Sequence, residues 1–349
     1  MEYPVEIIGN ILSRLGAAID VVVASLTSRK WLEARRNHLH TLTFNSNDWP
    51  VYDELPRSRL ERYLAPVDYN VNTPNLNILE KCGRQSLELL DLAENTITGF
   101  GPSYQKFPCL RSLSLNHVDI STLDLSHLLS ACPKVEVLNL VDMDFATSGP
   151  EFSMTLSSNS LKDIHVEAIE LSEVILEADR LKNLHLKDCN IGNFALLSNG
   201  TLRIFELDNV DIFPLDIGEN NAENLEIVEV SNFTTFRSDF HHMIVKLSKV
   251  RRISLCFVMF EDNDDEFVHT EATSACFPHL SRLSLTDELR EELQRGLLGY
   301  RQLENLVVLE LGWKVISDSF SDWVVELLKR CPKLRKLVIF WGCLGCQHT

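Results

Sequence analysis

The sequence predicts an α/β solenoid: a curved parallel sheet with helices and loops on its convex side, preceded by a small three-helix domain. Two observations carry the solenoid. A short apolar pattern, L-x-x-L-x-L, returns eleven times, beginning at Leu87, Leu110, Val135, Leu161, Leu181, Leu202, Leu225, Val250, Leu280, Leu306 and Leu334. Its first, fourth and sixth positions are apolar in every copy, whereas a composition that is 45% hydrophobic would fill about half of them by chance. Self-similarity at roughly this spacing marks a chain whose units each bury one face against their neighbours. The helical domain rests on a third observation, the spacing of apolar residues over residues 4–39.

That segment reads as three short helices. Pro4 stands where a first helical residue tolerates proline. Ile8, Leu12 and Leu15 form one stripe at i, i+4, i+7, and Ile7 with Ile11 forms an adjoining one. Gly16 suits a C-terminal cap. Asp20 precedes a second apolar run, Val21 to Leu26, and Thr27 or Ser28 can cap a third helix carrying Arg29, Lys30 and Trp31. The second stripe on the first helix either widens the core or awaits a partner. A domain of about 40 residues is too small to be stable unaided, so docking is expected.

Thr41-Leu42-Thr43-Phe44 reads as a strand able to form a first rung of the sheet. The remainder of 41–86 is an irregular connecting or capping region, with helices expected over Leu55–Leu64 and from Thr73-Pro74 to Gly83. The array proper is 87–349. In each copy the x-L-x-L core is a short strand, with leucines inward and the intervening residues outward on the concave side. Ser126–Ala131 and Asp322–Lys329 read as convex helices, each followed by Cys-Pro. The shortest copies, from Leu161 to Leu202, leave no room for a full helix. At the ninth position only Asn95 and Cys189 match the usual asparagine or cysteine, so these are degenerate leucine-rich repeats. The last copy runs into Phe340-Trp341-Gly342-Cys343-Leu344 without a polar cap, which predicts an incomplete array or an end covered by a partner.

The net charge of −17 is unevenly placed: residues 1–40 carry five Lys/Arg against four Asp/Glu, and the remainder 28 against 46. An acidic array repels phosphate backbones, which argues against nucleic acid and for partners with basic patches. No apolar run reaches membrane length, and MEYPVEII lacks the basic and apolar regions of a secretory signal. Cytosol or nucleus is the expected compartment. Nine scattered cysteines, mostly in apolar segments, fit it, and the sequons at Asn199 and Asn232 are then incidental.

Tyr3-Pro4-Val5-Glu6-Ile7-Ile8, then Ile11-Leu12-Ser13-Arg14-Leu15, then Asp20, then Thr27-Ser28-Arg29-Lys30-Trp31 resembles the F-box motif. Joined to the repeats, the chain resembles the F-box/LRR-repeat proteins of the plant-type group. Tyr3 stands where the motif prefers leucine, and Ala24-Ser25-Leu26-Thr27 replaces its Val-Ser run. The resemblance implies a substrate receptor of an SCF (Skp–cullin–F-box) ubiquitin ligase. The F-box would bind a Skp-type adaptor, and through it a cullin scaffold, while the repeats hold a protein substrate. Such a receptor is not itself an enzyme; it supplies proximity. Pro4, Glu6, Ile7, Ile11, Leu12, Leu15 and Trp31 fall on the motif as adaptor-binding candidates, Pro4, Ile7 and Ile11 foremost. The competing role for Ile8, Leu12, Leu15 and Trp31 is core. A pure interaction scaffold outside any ligase is the alternative function.

Substrate candidates follow from register. The fifth-position column runs Asp91, Ser114, Asn139, His165, His185, Glu206, Glu229, Ser254, Ser284, Glu310, Val338. His165, His185, Glu206 and Glu229 form its polar centre, a patch suited to a basic segment or to a plain solvated face. The third-position column sets Arg252 beside Arg282, an anion site or ordinary surface charge. Trp313 and Trp341 share the eighth position, as binding aromatics or end packing. Cys343, Cys346 and His348 fall short of a structural zinc set, and Asp262–Glu266 lacks calcium-loop spacing. No phosphate-loop, nucleophile-elbow or dinucleotide motif is present, so neither catalysis nor a cofactor is expected.

Overall fold

The computed structural model describes residues 3–15, 20–21, 24, 27–38, 40–45, 87–97, 107–145, 153–261, 277–285, 302–313 and 318–341. The expected cap at Gly16, the helices at 55–64 and 73–83, the acidic run 262–266 and the terminal Cys343–His348 segment lie outside them. Two compact units divide the chain, Met1–Ile169 and Glu170–Thr349.

In the first unit, α1 (Val5–Leu12) and α2 (Arg29–His38) pack against each other. Pro4 is the N-cap rather than the first helical residue, and its carbonyl accepts from the Ile7 and Ile8 N–H groups at 3.1 and 3.2 Å. α1 ends at Leu12 with Ser13 as C-cap, earlier than the Leu15 stripe implies. Ser28 accepts from the Trp31 N–H at 3.4 Å, a long bond at the position that caps α2. Asp20, Val21 and Ala24 are helical, and Val21 is buried. Gly9 lets the two helices close: a Cβ there would stand 2.5 Å from His38 Cβ.

The strands of this unit follow in parallel: β1 (Thr41–Asn45), β2 (Leu89–Ala93), β4 (Ser112–Asn116), β6 (Val137–Val141) and β8 (Asp163–Glu167). Thr43 aligns with Asp91, Ser114, Asn139 and His165, the fifth-position column of this unit. β1 is therefore a rung in strict register. A second, narrower layer pairs β3 (Thr96–Ile97) with β5 (Asp119–Ile120), and a bridge joins Asp119 to Asp144. α3 (Thr122–Ala131) begins four residues before the expected Ser126, because Ser121 caps it by accepting from the Asp124 N–H at 3.0 Å. It lies against β7 (Ser153–Ser157).

The second unit continues the pattern with β10 (Asn183–Leu197), β11 (Ile204–Ile212), β13 (Ile227–Thr235), β14 (Arg252–Phe260), β15 (Arg282–Leu285), β16 (Val308–Trp313) and β17 (Lys336–Trp341), neighbours in that order and all parallel. Where copies are too short for a helix, the return is itself a strand. β9 (Glu170–Glu177) pairs with the far half of β10, and β12 (Leu215–Asp216) pairs with Phe194 and Ala195. Gly192 permits that second layer, since a Cβ there would meet the Ser172 carbonyl oxygen at 2.5 Å. Helical returns reappear at α4 (Glu219–Asn224), α5 (Arg237–Val245) and α6 (Asp318–Lys329), the last begun four residues ahead of the expected Asp322.

The core is the repeat pattern itself. First, fourth and sixth positions of the first ten copies are all buried, while Leu337 and Ile339 of the last remain exposed. In the first eight copies the eighth position bends the chain: Glu94, His117, Asp142, Ala168, Asp188, Asn209, Asn232 and Phe257 all have φ between 49° and 55°. The left-handed conformation interrupts the ladder for one residue, and in β10, β11, β13 and β14 the pairing resumes at the ninth position. Asp and Asn tolerate it through short polar side chains, while Ala and Phe occupy it at a cost. Asn209 Nδ2 donates to Asp188 Oδ1 at 2.7 Å, and Asn232 Nδ2 donates to Asn209 Oδ1. The polar ladder thus stands one position before the place where such repeats usually carry it.

Candidate interaction surfaces

The N-terminal face is built by α1 turning one stripe inward. Ile8, Gly9 and Leu12 are buried, Leu12 at 1% exposure. That removes Leu12 from any contact surface of the folded chain and makes it a core residue. Ile7 and Ile11 remain 45% and 39% exposed, with Tyr3 at 60% and Pro4 and Glu6 also exposed. Leu15 and Trp31 are half-buried. An exposed isoleucine pair on a short helix, next to a tyrosine and a proline, is an apolar patch of the kind a protein partner covers.

In the first unit, His165 faces outward from β8 with Nε2 3.3 Å from Glu167 Oε2, two residues along the same strand. Arg111 and Lys162 flank Glu136 at 3.4 and 2.9 Å, so the second-position column is charge-paired from rung to rung. At the bends, His117 Nδ1 lies 2.7 Å from Asp142 Oδ2. Beside them opens a concavity of about 550 Å³ lined by Glu94, Asn95, Thr96, His117, Asp119, Asp142, Met143 and Asp144. Burial, and then the neighbouring Asp144 carboxylate, push the Asp119 carboxyl above its ordinary value. Sequence reasoning missed this acidic group because its members stand at the eighth to tenth positions, outside the strand columns.

In the second unit the outward columns are closed by ion pairs between rungs. His185 Nδ1 lies 2.7 Å from Glu206 Oε2. Arg252 Nε lies 2.9 Å from Glu229 Oε1, an ion pair whose N–H is not aligned on the oxygen. Arg282 donates through Nη2 to both oxygens of Glu310 at 2.9 and 3.0 Å, and through Nε at 3.3 Å. Arg252 and Arg282 are register neighbours, as expected, yet each guanidinium is already held by a carboxylate on its other side. They do not form a bare basic patch, and Glu206 and Glu229 do not form a bare acidic one. Trp313 and Trp341 are partners in backbone register on β16 and β17.

Cysteines 109, 132, 189, 256 and 331 are free thiols among the described residues. Burial pushes Cys132 up to about 12 and also raises Cys331, which marks both as unreactive core residues. No group of three potential metal ligands occurs among the described residues.

The sequence has relatives among known proteins. Residues 68–204 fit the family model described as the LRR repeats of FBD-associated F-box protein At5g56370. That match opens ahead of the first copy at Leu87. Over 97% of this chain and 91% of the relative, the sequence is 47% identical to the F-box/LRR-repeat protein At1g67190 of Arabidopsis thaliana. The chain belongs to the F-box/LRR-repeat family. Two further Arabidopsis thaliana relatives are more distant. F-box protein At1g56610 is 22% identical over 95% of this chain and 63% of its own length. The putative F-box/LRR-repeat protein At3g58880 is 25% identical over 75% and 49%. In this F-box/LRR-repeat chain the apolar α1 face belongs to the N-terminal helices, and the ion-paired columns belong to the repeats.

Proposed function

We propose that this chain is the non-catalytic substrate-recognition subunit of an SCF ubiquitin ligase. Its N-terminal helices bind a Skp-type adaptor, and its repeats hold a protein substrate for ubiquitination. The observation that carries the adaptor half is the division of α1 into a buried stripe and an exposed one. Ile7 and Ile11 project outward, with Pro4 starting the helix and Glu6 in its first turn, while Leu12 holds the helix to its own core. Leu15 and Trp31 are half-buried. On the repeats, the outward residues His165 in one unit and His185, Glu206, Glu229, Arg252 and Arg282 in the other, together with the Trp313 position, are the proposed substrate-facing set. The receptor performs no bond chemistry. It raises the effective concentration of a substrate lysine near a ubiquitin-loaded partner. The work belongs in the cytosol or nucleus, which imaging of a fluorescently tagged chain tests.

The experiment is co-purification with a Skp-type adaptor, comparing the native chain with a Pro4→Ala/Ile7→Asp/Ile11→Asp variant. Stoichiometric capture that the variant loses, with an unchanged melting curve, is the expected result. A folded chain that captures no adaptor refutes the ligase assignment and leaves an acidic interaction scaffold.

A further inference from the structure

On the outward columns of the second unit the carboxylates are neutralised from rung to rung: Glu206 by His185, Glu229 by Arg252, Glu310 by Arg282, and Glu226 by Arg203 and Arg251. The return side of the same unit is different. There β9, the far half of β10 and β12 form a second parallel layer. Residues 170–177, 188–197 and 215–216 carry five acids, Glu170, Glu173, Glu177, Asp188 and Asp216, and no lysine or arginine. Among the described residues, neither Glu177 nor Asp216 takes a cation.

The solvent face of this layer follows from strict alternation. Val174 and Leu176 of β9, Phe194 and Leu196 of β10, and Leu215 of β12 are buried. Between them, Glu173, Ile175 and Glu177 face solvent from β9, and Asn193, Ala195 and Leu197 from β10. Register sets Glu173 beside Asn193, Ile175 beside Ala195, and Glu177 beside Leu197, while Asp216 stands on the other side of Ala195. Leu197 is 53% exposed, and Ile175 and Ala195 are half-buried. The three make one small apolar strip. Glu173 and Glu177 bracket it along β9, about 6.6 Å to either side of Ile175 at the usual rise of a strand, and Asp216 closes its flank. Asn193 donates through Nδ2 to Glu173 Oε1 at 3.0 Å, which orients that carboxylate on the face.

We propose that this return-side face docks an extended segment of a partner protein in which an apolar residue stands between two lysines or arginines, each two residues away. Charge complementarity selects the partner. A face with three carboxylates and no cation repels phosphate backbones and anionic lipid, and attracts basic side chains. The apolar strip selects the residue between them. An extended segment repeats its same-side positions at the spacing of the face, so its middle side chain covers Leu197, Ala195 and Ile175 while its cations reach Glu173 and Glu177. Long basic side chains also lay their methylene stems on such a strip. The surface is separate from the exposed α1 stripe and from the outward columns, and the inference does not depend on the ligase reading.

The test immobilises the full-length chain and flows the peptide Thr-Lys-Thr-Leu-Thr-Lys-Thr over it, read by surface plasmon resonance. Replacing the peptide's Leu by Thr weakens binding about fivefold, the size of a partly buried leucine. Replacing either Lys by Gln weakens it about two- to threefold, within the range of one exposed ion pair. On the protein, Leu197→Thr removes the preference for the peptide's Leu and keeps that for Lys. Glu173→Gln/Glu177→Gln does the reverse. The equal charge loss Asp142→Asn/Asp144→Asn, in the first unit, changes neither. The peptide substitutions leave the protein untouched, so they read the same contacts even if a variant is unstable. Binding that ignores the peptide's Leu, or that falls equally with the first-unit variant, is general attraction to an acidic protein and overturns the inference. No binding at about 1 mM overturns it as well. So does a dimer in sedimentation that Leu197→Thr disperses, because a second copy would then cover the strip.

Discussion

Ala168 offers the sharpest test of the repeat geometry. It sits at the eighth position of its copy with φ 55°, is exposed, and follows β8 directly. A left-handed L-residue costs roughly 1–2 kcal/mol relative to glycine, because Cβ crowds the following carbonyl. Replacing alanine by glycine relieves that strain but loosens the unfolded chain by about 0.4–1 kcal/mol. The exposed methyl contributes little burial, so the net expectation for Ala168→Gly is a gain of about 0.5–1 kcal/mol, or a rise of about 1–2 °C in a chain this long. Ala168→Val has the opposite sign. A β-branched residue suits a strand, yet at positive φ it should cost more than alanine does, roughly another 1 kcal/mol. The assay is urea unfolding followed by circular dichroism, comparing transition midpoints because repeat arrays need not unfold in one step. In an ordinary strand end the order reverses, since glycine would lose about 0.5–1 kcal/mol there. A destabilised Ala168→Gly alongside a neutral Ala168→Val would refute the left-handed bend.

Three further outcomes follow from other contacts. Gly192→Ala forces a Cβ to 2.5 Å from the Ser172 carbonyl oxygen, a backbone atom that cannot rotate away, so it should lower stability by about 1–3 kcal/mol in thermal melts. Leu12→Asp should abolish the cooperative signal of the N-terminal helices in hydrogen exchange, whereas Ile7→Asp, on the exposed stripe, should leave it within about 0.5 kcal/mol of native. The raised carboxyl of Asp119 gives a pH dependence whose sign is fixed. A folded-state value above the carboxyl's ordinary one means that its stabilising contribution is present below that ordinary value and is lost as pH rises through the folded one. Asp119→Asn should therefore melt higher than the native chain at pH 7, with the two curves converging below pH 3.8; a gap that persists in acid would exclude titration of Asp119 as its source.

The sequence alone determined the rungs. Apolar residues at the first, fourth and sixth positions leave a period-two strand one buried face, and a one-residue slip would expose all of it, so the register of ten copies was legible from Leu87 onward. The two stripes of the first helix were legible for the same local reason, but not which of them faces inward. That choice depends on Gly9 meeting His38 from another helix, a contact between residues far apart in the chain. The rung at Thr41–Asn45 was only half legible, because residues 46–86 interrupt the period before the next copy. The eighth-position bends carried a signal, polar turn-tolerant residues at Asp142, Asp188, Asn209 and Asn232, that Ala168 and Phe257 obscured. The outward charges belong to the tertiary structure. Lists of residues place Arg252 beside Arg282 and Glu206 beside Glu229. Only side chains reaching across rungs decide that each arginine takes a glutamate, so that neither an acidic nor a basic patch stands bare. Burial is dictated by composition along one strand, whereas ion pairing is settled between strands, where the choice of partner depends on distances that no single repeat contains.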